Sequence, residues 1–215
     1  MDNRLKGKIA VVTGAAQGLG EASSRRFAEA GAAVAVVDVK EEKGRAVAED
    51  IKASGGEAEF FYCNLTETPI IEFLVANIDK VFGRIDVLYN NAGSSFAGTV
   101  ETLSEEAYDQ MFAINVKAKF MMSRHVVPIM RRGGGGSIIN QASESGITGS
   151  PYHPGYCASM GAVVNLTRAM ALTHASDKIR VNAICPGCVE TEILESFLAS
   201  VDDRQKVTEE LLHDH

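Results

Sequence analysis

The sequence lacks any long apolar run and lacks an excess of basic residues. It carries 21 Lys and Arg against 28 Asp and Glu, a formal net charge of -7, and its pI is near 5.3. An acidic balance disfavours nucleic acids and anionic membranes as partners, because both select a basic face. No stretch approaches the ~18 apolar residues that cross a bilayer, and no apolar segment follows the charges of residues 1–6. We therefore expect a cytoplasmic protein with neither nucleic acid nor membrane as a partner.

Signatures of metal binding and hydrolysis are also missing. Cys185 and Cys188 have C-x-x-C spacing, yet no second pair of Cys or His accompanies them, so we predict no metal site and reduced thiols. Ser143 is not part of a G-x-S-x-G elbow, which disfavours a hydrolase. His153 lies in a proline-flanked loop and is expected at the surface.

The length and patterning predict one α/β domain. At 215 residues with 46% apolar residues and no internal repeat, the chain suits a single core. Apolar strand-like runs alternate with helical stretches, the pattern of a doubly wound parallel sheet with helices on both faces. The six predicted strands are 8–13, 33–38, 57–62, 85–90, 137–141 and 180–185. The predicted helices are 18–30, 41–53, 69–82, 104–130 and 156–175, followed by one or two polar helices in 191–215.

Residues 8–38 are the most informative segment. An apolar run leads into a turn that contains Gly14, Gly18 and Gly20, and a helical stretch and a second apolar run end at Asp38. The glycines allow a tight turn, close approach of backbone N–H groups to a pyrophosphate, and packing of the helix on the sheet. This strand–turn–helix–strand–acid order predicts a dinucleotide-binding unit.

Asp38 favours NAD over NADP. A carboxylate at the end of the second strand accepts hydrogen bonds from the adenosine ribose hydroxyls and repels a 2′-phosphate. The turn has Ala15, Ala16 and Gln17 where a phosphate-binding site would place Arg or Lys, and Lys40 is the only nearby cation. We therefore predict NAD as the cofactor.

Polar residues mark the expected ends of the later strands. Asn90–Gly93 ends the fourth, Ser143 follows the fifth, and Pro186–Gly187 follows the sixth, while Asn115 interrupts an apolar helix and Tyr156 opens the next one. In open parallel sheets the ligand crevice lies at these carboxyl ends. The pattern predicts one site that contains all of them.

With these motifs in this order, residues 6–192 resemble the short-chain dehydrogenase/reductase family in its single Rossmann-domain form. The resemblance implies that Tyr156 is the general acid/base, that Ser143 polarises the substrate oxygen, and that Asn115 orders a water. It also implies a domain of residues 1–192 that binds NAD and carries the catalytic residues, with a helical lid or tail in 193–215.

The cofactor-binding residues follow from the same resemblance. They are Gly14, Gln17, Gly18, Leu19, Gly20, Asp38, Val39, Asn64, Leu65, Asn91, Ala92, Gly93, Tyr156, Pro186, Gly187, Val189 and Thr191. The family usually has Asp where this chain has Asn64, a mild departure because the amide still offers a carbonyl oxygen.

Met160 departs from the family at a catalytic position. Four residues after the tyrosine the family has a lysine that lowers the phenol pKa and binds the nicotinamide ribose. Methionine provides neither a charge nor a donor, so the resemblance predicts weakened acid/base catalysis.

The ending is a second departure. Family members usually continue with a further helix and a seventh strand, so the strand that ends at Cys185 is expected to keep an unpaired edge. We expect a homo-oligomer, a dimer or tetramer, perturbed by this ending, with residues 191–212 as a mobile lid.

The sequence thus predicts an NAD(H)-dependent dehydrogenase or reductase that interconverts a secondary alcohol and a ketone, impaired by Met160. The alternative is a catalytically silent NAD-binding protein that acts through association or sensing. The identity of the alcohol or ketone does not follow from the sequence.

Overall fold

Six parallel strands form one sheet in a computed structural model that describes residues 3–199, 201 and 203–213. The order β3-β2-β1-β4-β5-β6 confirms the doubly wound Rossmann arrangement. Of the predicted start and tail, residues 1, 2, 200, 202, 214 and 215 lie outside the described residues. The strands are β1 Ile9–Thr13, β2 Ala33–Asp38, β3 Glu57–Tyr62, β4 Val87–Asn90, β5 Gly136–Gln141 and β6 Ile179–Ile184.

Helices follow the strands and cover both faces of the sheet. They are α1 Gly18–Glu29, α2 Glu41–Ala53, α3 Thr68–Phe82, α4 Glu105–Phe112, α5 Ala118–Arg132, α6 Pro154–Thr173, α7 Glu192–Ala199 and α8 Arg204–His213. Side chains of α1 and α2 pack on one face, around Val12 and Val34. Side chains of α3, α5 and α6 pack on the other face, around Val11 and Leu88. This alternation is expected for strands that are buried on both sides.

The predicted helix 104–130 is not continuous. Ser104 begins it as expected, since its hydroxyl accepts the Ala107 N–H at 3.2 Å. A π-helical turn over Ala113–Lys117 then separates α4 from α5. Such turns carry one extra residue and are frequent at functional sites, and this one contains Asn115.

The bounds of four strands, β1, β4, β5 and β6, also differ from the prediction by one or two residues. The ladder between β1 and β4 starts at the Ala10–Val87 pair, so Ile85 lies outside the strand. Strand β6 ends at Ile184, one residue before Cys185, and in the described part of the chain it pairs with β5 alone. None of the described helices is both long and apolar enough to cross a bilayer.

A buried carboxylate joins the starts of β1 and β4. Asp86 accepts hydrogen bonds from the Ile9 N–H at 3.0 Å, from Lys8 Nζ at 3.1 Å and from Arg84 Nε at 2.9 Å. Burial opposes ionisation, but these donors outweigh it and hold the pKa of Asp86 below its ordinary value.

We expect Asp86→Asn to lower the free energy of unfolding by about 1–3 kcal/mol at pH 7, because two cations lose a buried, charged acceptor. The depressed pKa makes this contribution present above the unfolded-state pKa and lost as the pH falls through the folded-state value. Urea unfolding should therefore give a larger difference between the wild type and the variant at pH 7 than at pH 3. Asp50→Asn, which removes an exposed ion pair with Arg25, is the control and should change stability by less than about 1 kcal/mol.

Candidate functional site

One large cavity opens along the carboxyl ends of the strands. It has a volume of about 880 Å³ and is lined by residues that follow β1, β2, β3, β4, β5 and β6. All the predicted site residues except Gly20 line it. The structure therefore brings the sequence-predicted residues together at one edge of the sheet, where ligands bind in open α/β folds.

The glycine-rich turn is built without room for side chains. Gly14 and Gly18 have φ of 64° and 54°, in the left-handed region. A Cβ on Gly20 would lie 2.0 Å from the Gly14 carbonyl oxygen, and a Cβ on Gly14 would lie 2.9 Å from the Ala92 Cα. Gly20 thus serves helix packing behind the cavity, while Gly14 and Gly18 face it.

Asp38 is fixed at the end of β2 by the turn itself. Its Oδ2 accepts the Ala16 N–H at 2.9 Å, and its Oδ1 accepts the Lys40 N–H at 2.9 Å. The carboxylate is 9% exposed and lines the cavity. Its position is therefore set before any ligand binds.

The nearby cation Lys40 is ion-paired. Its Nζ lies 2.8 Å from a carboxylate oxygen of Glu192 and also contacts the Gln17 side chain. Lys43 lies 2.8 Å from the other oxygen of Glu192, and these two ammonium groups lower the pKa of Glu192 to about 2. The ion pair was not foreseen from the sequence, and it joins the start of α7 to the end of β2.

Asn91 holds the end of β4 against the turn. Its Nδ2 donates to the Thr13 and Gly14 carbonyl oxygens, both at 3.0 Å. The hydroxyl of Thr13 accepts the N–H groups of Asn91 at 3.0 Å and Ala92 at 3.1 Å. The Asn91 side chain thus shapes the cavity wall.

Asn115 is fully buried in the π-helical turn and connects three segments. Its Oδ1 accepts the Ser94 N–H at 2.9 Å, and its Nδ2 donates to the Ser94 carbonyl at 2.9 Å and to the Ser159 Oγ at 3.1 Å. Ser159 in turn donates to the Tyr156 carbonyl at 2.8 Å. The side chain of Asn115 therefore positions the first turn of α6 relative to the loop after β4.

The residues Ser143 and Tyr156 both line the cavity. Ser143 follows β5 and its Oγ also accepts the Ser145 N–H at 3.2 Å, while Tyr156 lies in the first turn of α6. Burial raises the pKa of the Tyr156 phenol, and the hydrogen bond with the Ser143 side chain partly opposes that rise. A hydroxyl pair of this kind can bind one substrate oxygen and exchange a proton with it.

The helix that carries Tyr156 brings no charge to this pair. Met160, one turn later, is 3% exposed and packs with Ala142 and Val163, with Val116 and Tyr156 beside them. The apolar environment keeps the phenol in its neutral form.

The surface position expected for His153 is wrong. Its ring packs edge-on against Tyr156 at 5.3 Å and against Phe197 of α7 at 4.9 Å, and burial lowers its pKa. Its Nδ1 is buried without a hydrogen-bond partner in the described part of the chain. The flanking prolines suggested a loop, whereas His153 directly precedes α6 and is covered by α7.

Asn64 and the segment after β6 close the two ends of the cavity. The Asn64 Oδ1 accepts the Thr66 N–H at 3.2 Å, and its Nδ2 donates to Glu67 at 2.8 Å, so the side chain closes the turn between β3 and α3. The Pro186 carbonyl accepts the Glu144 N–H at 3.0 Å. The predicted residues that complete these ends are Leu65, Gly187, Val189 and Thr191.

Lys119 also lines the cavity, although the sequence does not predict it as a site residue. It lies in α5, is 3% exposed, and its Nζ donates to the Ala92 carbonyl at 2.5 Å. Lysine is almost never fully buried without a partner charge, and nothing in the spacing around Asn115 shows that this side chain faces inward. Among the described residues, no group of three or more His, Cys, Asp or Glu side chains could hold a metal ion.

A dinucleotide fits these residues. Gly14 and Gly18 form a cradle at the cavity edge, where Gly18 leaves open space because a Cβ there would approach only Thr191, at 3.5 Å. A fixed carboxylate faces the same cavity. The Ser143 and Tyr156 hydroxyls lie on the stretch of the cavity lined from β5 and α6. Along the sheet edge, the carboxylate lies at β2 and the two hydroxyls lie near β5. This order matches a dinucleotide whose adenosine half lies near β2 and whose nicotinamide half lies near β5.

Comparisons with known proteins agree with this arrangement. A family model described as short chain dehydrogenase matches residues 8–202. The chain is 42% identical over 187 residues to an uncharacterized oxidoreductase of Thermotoga maritima, covering 87% of this chain and 74% of that protein. It is 38% identical over 192 residues to an NAD-dependent glycerol dehydrogenase of Listeria innocua, covering 89% and 74%.

A solved structure shows the same fold with ligands. It is a 7α-hydroxysteroid dehydrogenase complexed with NADH and 7-oxo glycochenodeoxycholic acid. The TM-score is 0.87 and the identity 32%, and the match covers 91% of this chain and 76% of that one.

Proposed function

Because the chain belongs to the short-chain dehydrogenase family, we propose that it is an NAD(H)-linked oxidoreductase that interconverts a secondary alcohol and a ketone. The hydroxyls of Ser143 and Tyr156, which line one cavity and of which the first lowers the pKa of the second, carry this proposal. A solved structure and a relative with NADH or NAD in their names support the choice of cofactor.

The adenosine end is assigned to the cradle at Gly14 and Gly18 and to Asp38. Backbone N–H groups of the turn are proposed to bind the pyrophosphate, and the Asp38 carboxylate to accept the ribose hydroxyls. Lys40 weakens this preference for NAD only in part, because its ammonium pairs with Glu192, a carboxylate that it shares with Lys43. When bound, NAD supplies the hydride acceptor.

The chain's own residues handle the proton. Ser143 is proposed to donate a hydrogen bond to the substrate oxygen, and the Tyr156 oxygen to take the hydroxyl proton during oxidation and return it during reduction. Asn115 keeps α6 in place, through Ser159, so that the phenol stays beside Ser143.

The lid and the assembly remain predictions. Helix α7 contributes Phe197 and Leu194 to the cavity lining, which fits a segment that covers the substrate. A homo-oligomer is expected from the family resemblance, and sedimentation velocity would test it. The cytoplasmic location expected from the sequence remains a prediction.

The purified chain should bind NADH, as measured by calorimetry, and should reduce NAD in the presence of at least one member of a panel of secondary alcohols and polyols. Turnover is read from the absorbance of the reduced nicotinamide. Binding without turnover on the panel would favour the silent NAD-binding alternative, for which the uncharged Met160 is the supporting observation. Absence of binding to either nicotinamide cofactor would exclude both.

A further inference from the structure

A buried amine faces the cavity from the helix opposite Tyr156. Lys119 is 3% exposed, and the Ala92 carbonyl is its described hydrogen-bond partner, although an ammonium has three donors. Burial depresses the pKa of Lys119, and no described carboxylate opposes this effect. A lysine that is buried at a cavity wall with donors to spare is poised for a ligand.

The amine lies on the cofactor side of the site. Ala92, which accepts its hydrogen bond, abuts the glycine-rich turn, since a Cβ on Gly14 would lie 2.9 Å from the Ala92 Cα. Asn115, which positions α6, lies one helical turn before Lys119. The site thus has an ionisable amine on α5, whereas Met160 on α6 provides none.

We propose that Lys119 binds the nicotinamide dinucleotide and supplies the positive charge that is missing at position 160. The inference rests on the proposed function and adds to it a cofactor-binding residue from a different helix. The charge would favour the Tyr156 phenolate by Coulomb attraction and offset the effect of its burial.

The ionisation of Lys119 offers a readout that does not depend on turnover. Burial lowers its pKa to about 7, so at pH 8 the amine is largely neutral in the free protein. An anionic ligand favours the ammonium, so NADH binding at pH 8 should take up about one proton. The other titratable groups that line the cavity include His153, whose pKa is lowered, and Tyr156 and Cys188, whose pKa values are raised. The charged groups there include Asp38, Lys40 and Glu144.

Calorimetry in two buffers of different ionisation enthalpy measures this proton uptake. In Lys119→Met we expect the uptake to vanish and the Kd for NADH to rise at least about tenfold. Lys117→Met is the matched control, because Lys117 is exposed two residues away on the same helical segment, and it should retain both properties. Lys119→Gln keeps a donor for the Ala92 carbonyl and should behave like Lys119→Met, which separates the loss of charge from a packing defect.

Transfer of the charge gives a second test. We expect Met160→Lys to restore NADH affinity and kcat in the Lys119→Met background, and to add little in the wild type, where two ammonium groups would repel each other in one cavity. Equal gains from Met160→Lys in both backgrounds, or unchanged proton uptake in Lys119→Met, would overturn the proposal for Lys119 and leave the oxidoreductase function intact. Failure of the wild type to bind NADH would instead remove the proposed function on which the inference rests.

Discussion

Tyr156→Phe should lower kcat by about 10²- to 10⁴-fold while leaving the Kd for NADH nearly unchanged. The change removes only the hydroxyl that lines the cavity together with Ser143, and positioned acid/base groups contribute factors of this size. The ring still fills the space beside His153 and Met160. Steady-state kinetics with an alcohol from the active panel and NADH calorimetry measure the two quantities.

The pH profile strengthens this test. Burial raises the pKa of the phenol, so the rate of alcohol oxidation by the wild type should increase with pH as the phenolate forms. Tyr156→Phe should lack that increase. Tyr62→Phe, at a tyrosine that is 60% exposed at the end of β3, is the control and should keep both the rate and the profile. A rate for Tyr156→Phe equal to that of the wild type would mean that another group transfers the proton.

Asp38→Asn should weaken NADH binding about 10- to 100-fold and improve NADPH binding. Hydrogen bonds to charged groups contribute about 1.5–3 kcal/mol, and the variant loses the charge that the ribose hydroxyls would meet. The amide also removes the repulsion of a 2′-phosphate. Parallel titrations with NADH and NADPH give both dissociation constants.

A second variant that loses one negative charge near Asp38 is the control for long-range electrostatic effects. Glu41→Gln removes an exposed carboxylate in the first turn of α2 that pairs with Arg45, and it should leave the preference between the two cofactors unchanged. If the wild type binds NADPH more tightly than NADH, the role proposed for Asp38 is wrong.

The strands and the glycine-rich turn could be predicted because local sequence determines them. The apolar runs of β1 and β2 are completely buried, and the bounds of β2 and β3 agree with the prediction. Gly14 and Gly18 take the left-handed backbone that their residue type allows. At these positions, propensity and tertiary structure favour the same conformation.

Other features depend on contacts that are distant in the sequence. The π-helical turn at Asn115 is coupled to hydrogen bonds with Ser94 and Ser159, which are 21 and 44 residues away. His153 is partly covered because Phe197 of α7 packs against its ring. Lysine is usually found at the protein surface. The Lys119 side chain lies inside because α5 packs against the loop after β4, where the Ala92 carbonyl accepts its hydrogen bond.

The ion pairs of Glu192 should make ligand binding sensitive to salt concentration. Lys40, Lys43 and Glu192 are each about half exposed, so dissolved ions screen their attraction, and the Debye length is only about 8 Å at physiological ionic strength. These contacts connect the start of α7 to the adenosine end of the cleft. Raising the salt concentration should therefore weaken the contacts that hold the start of α7 near the end of β2. The rates of ligand binding and release should then vary with salt concentration more than the free energy of unfolding does.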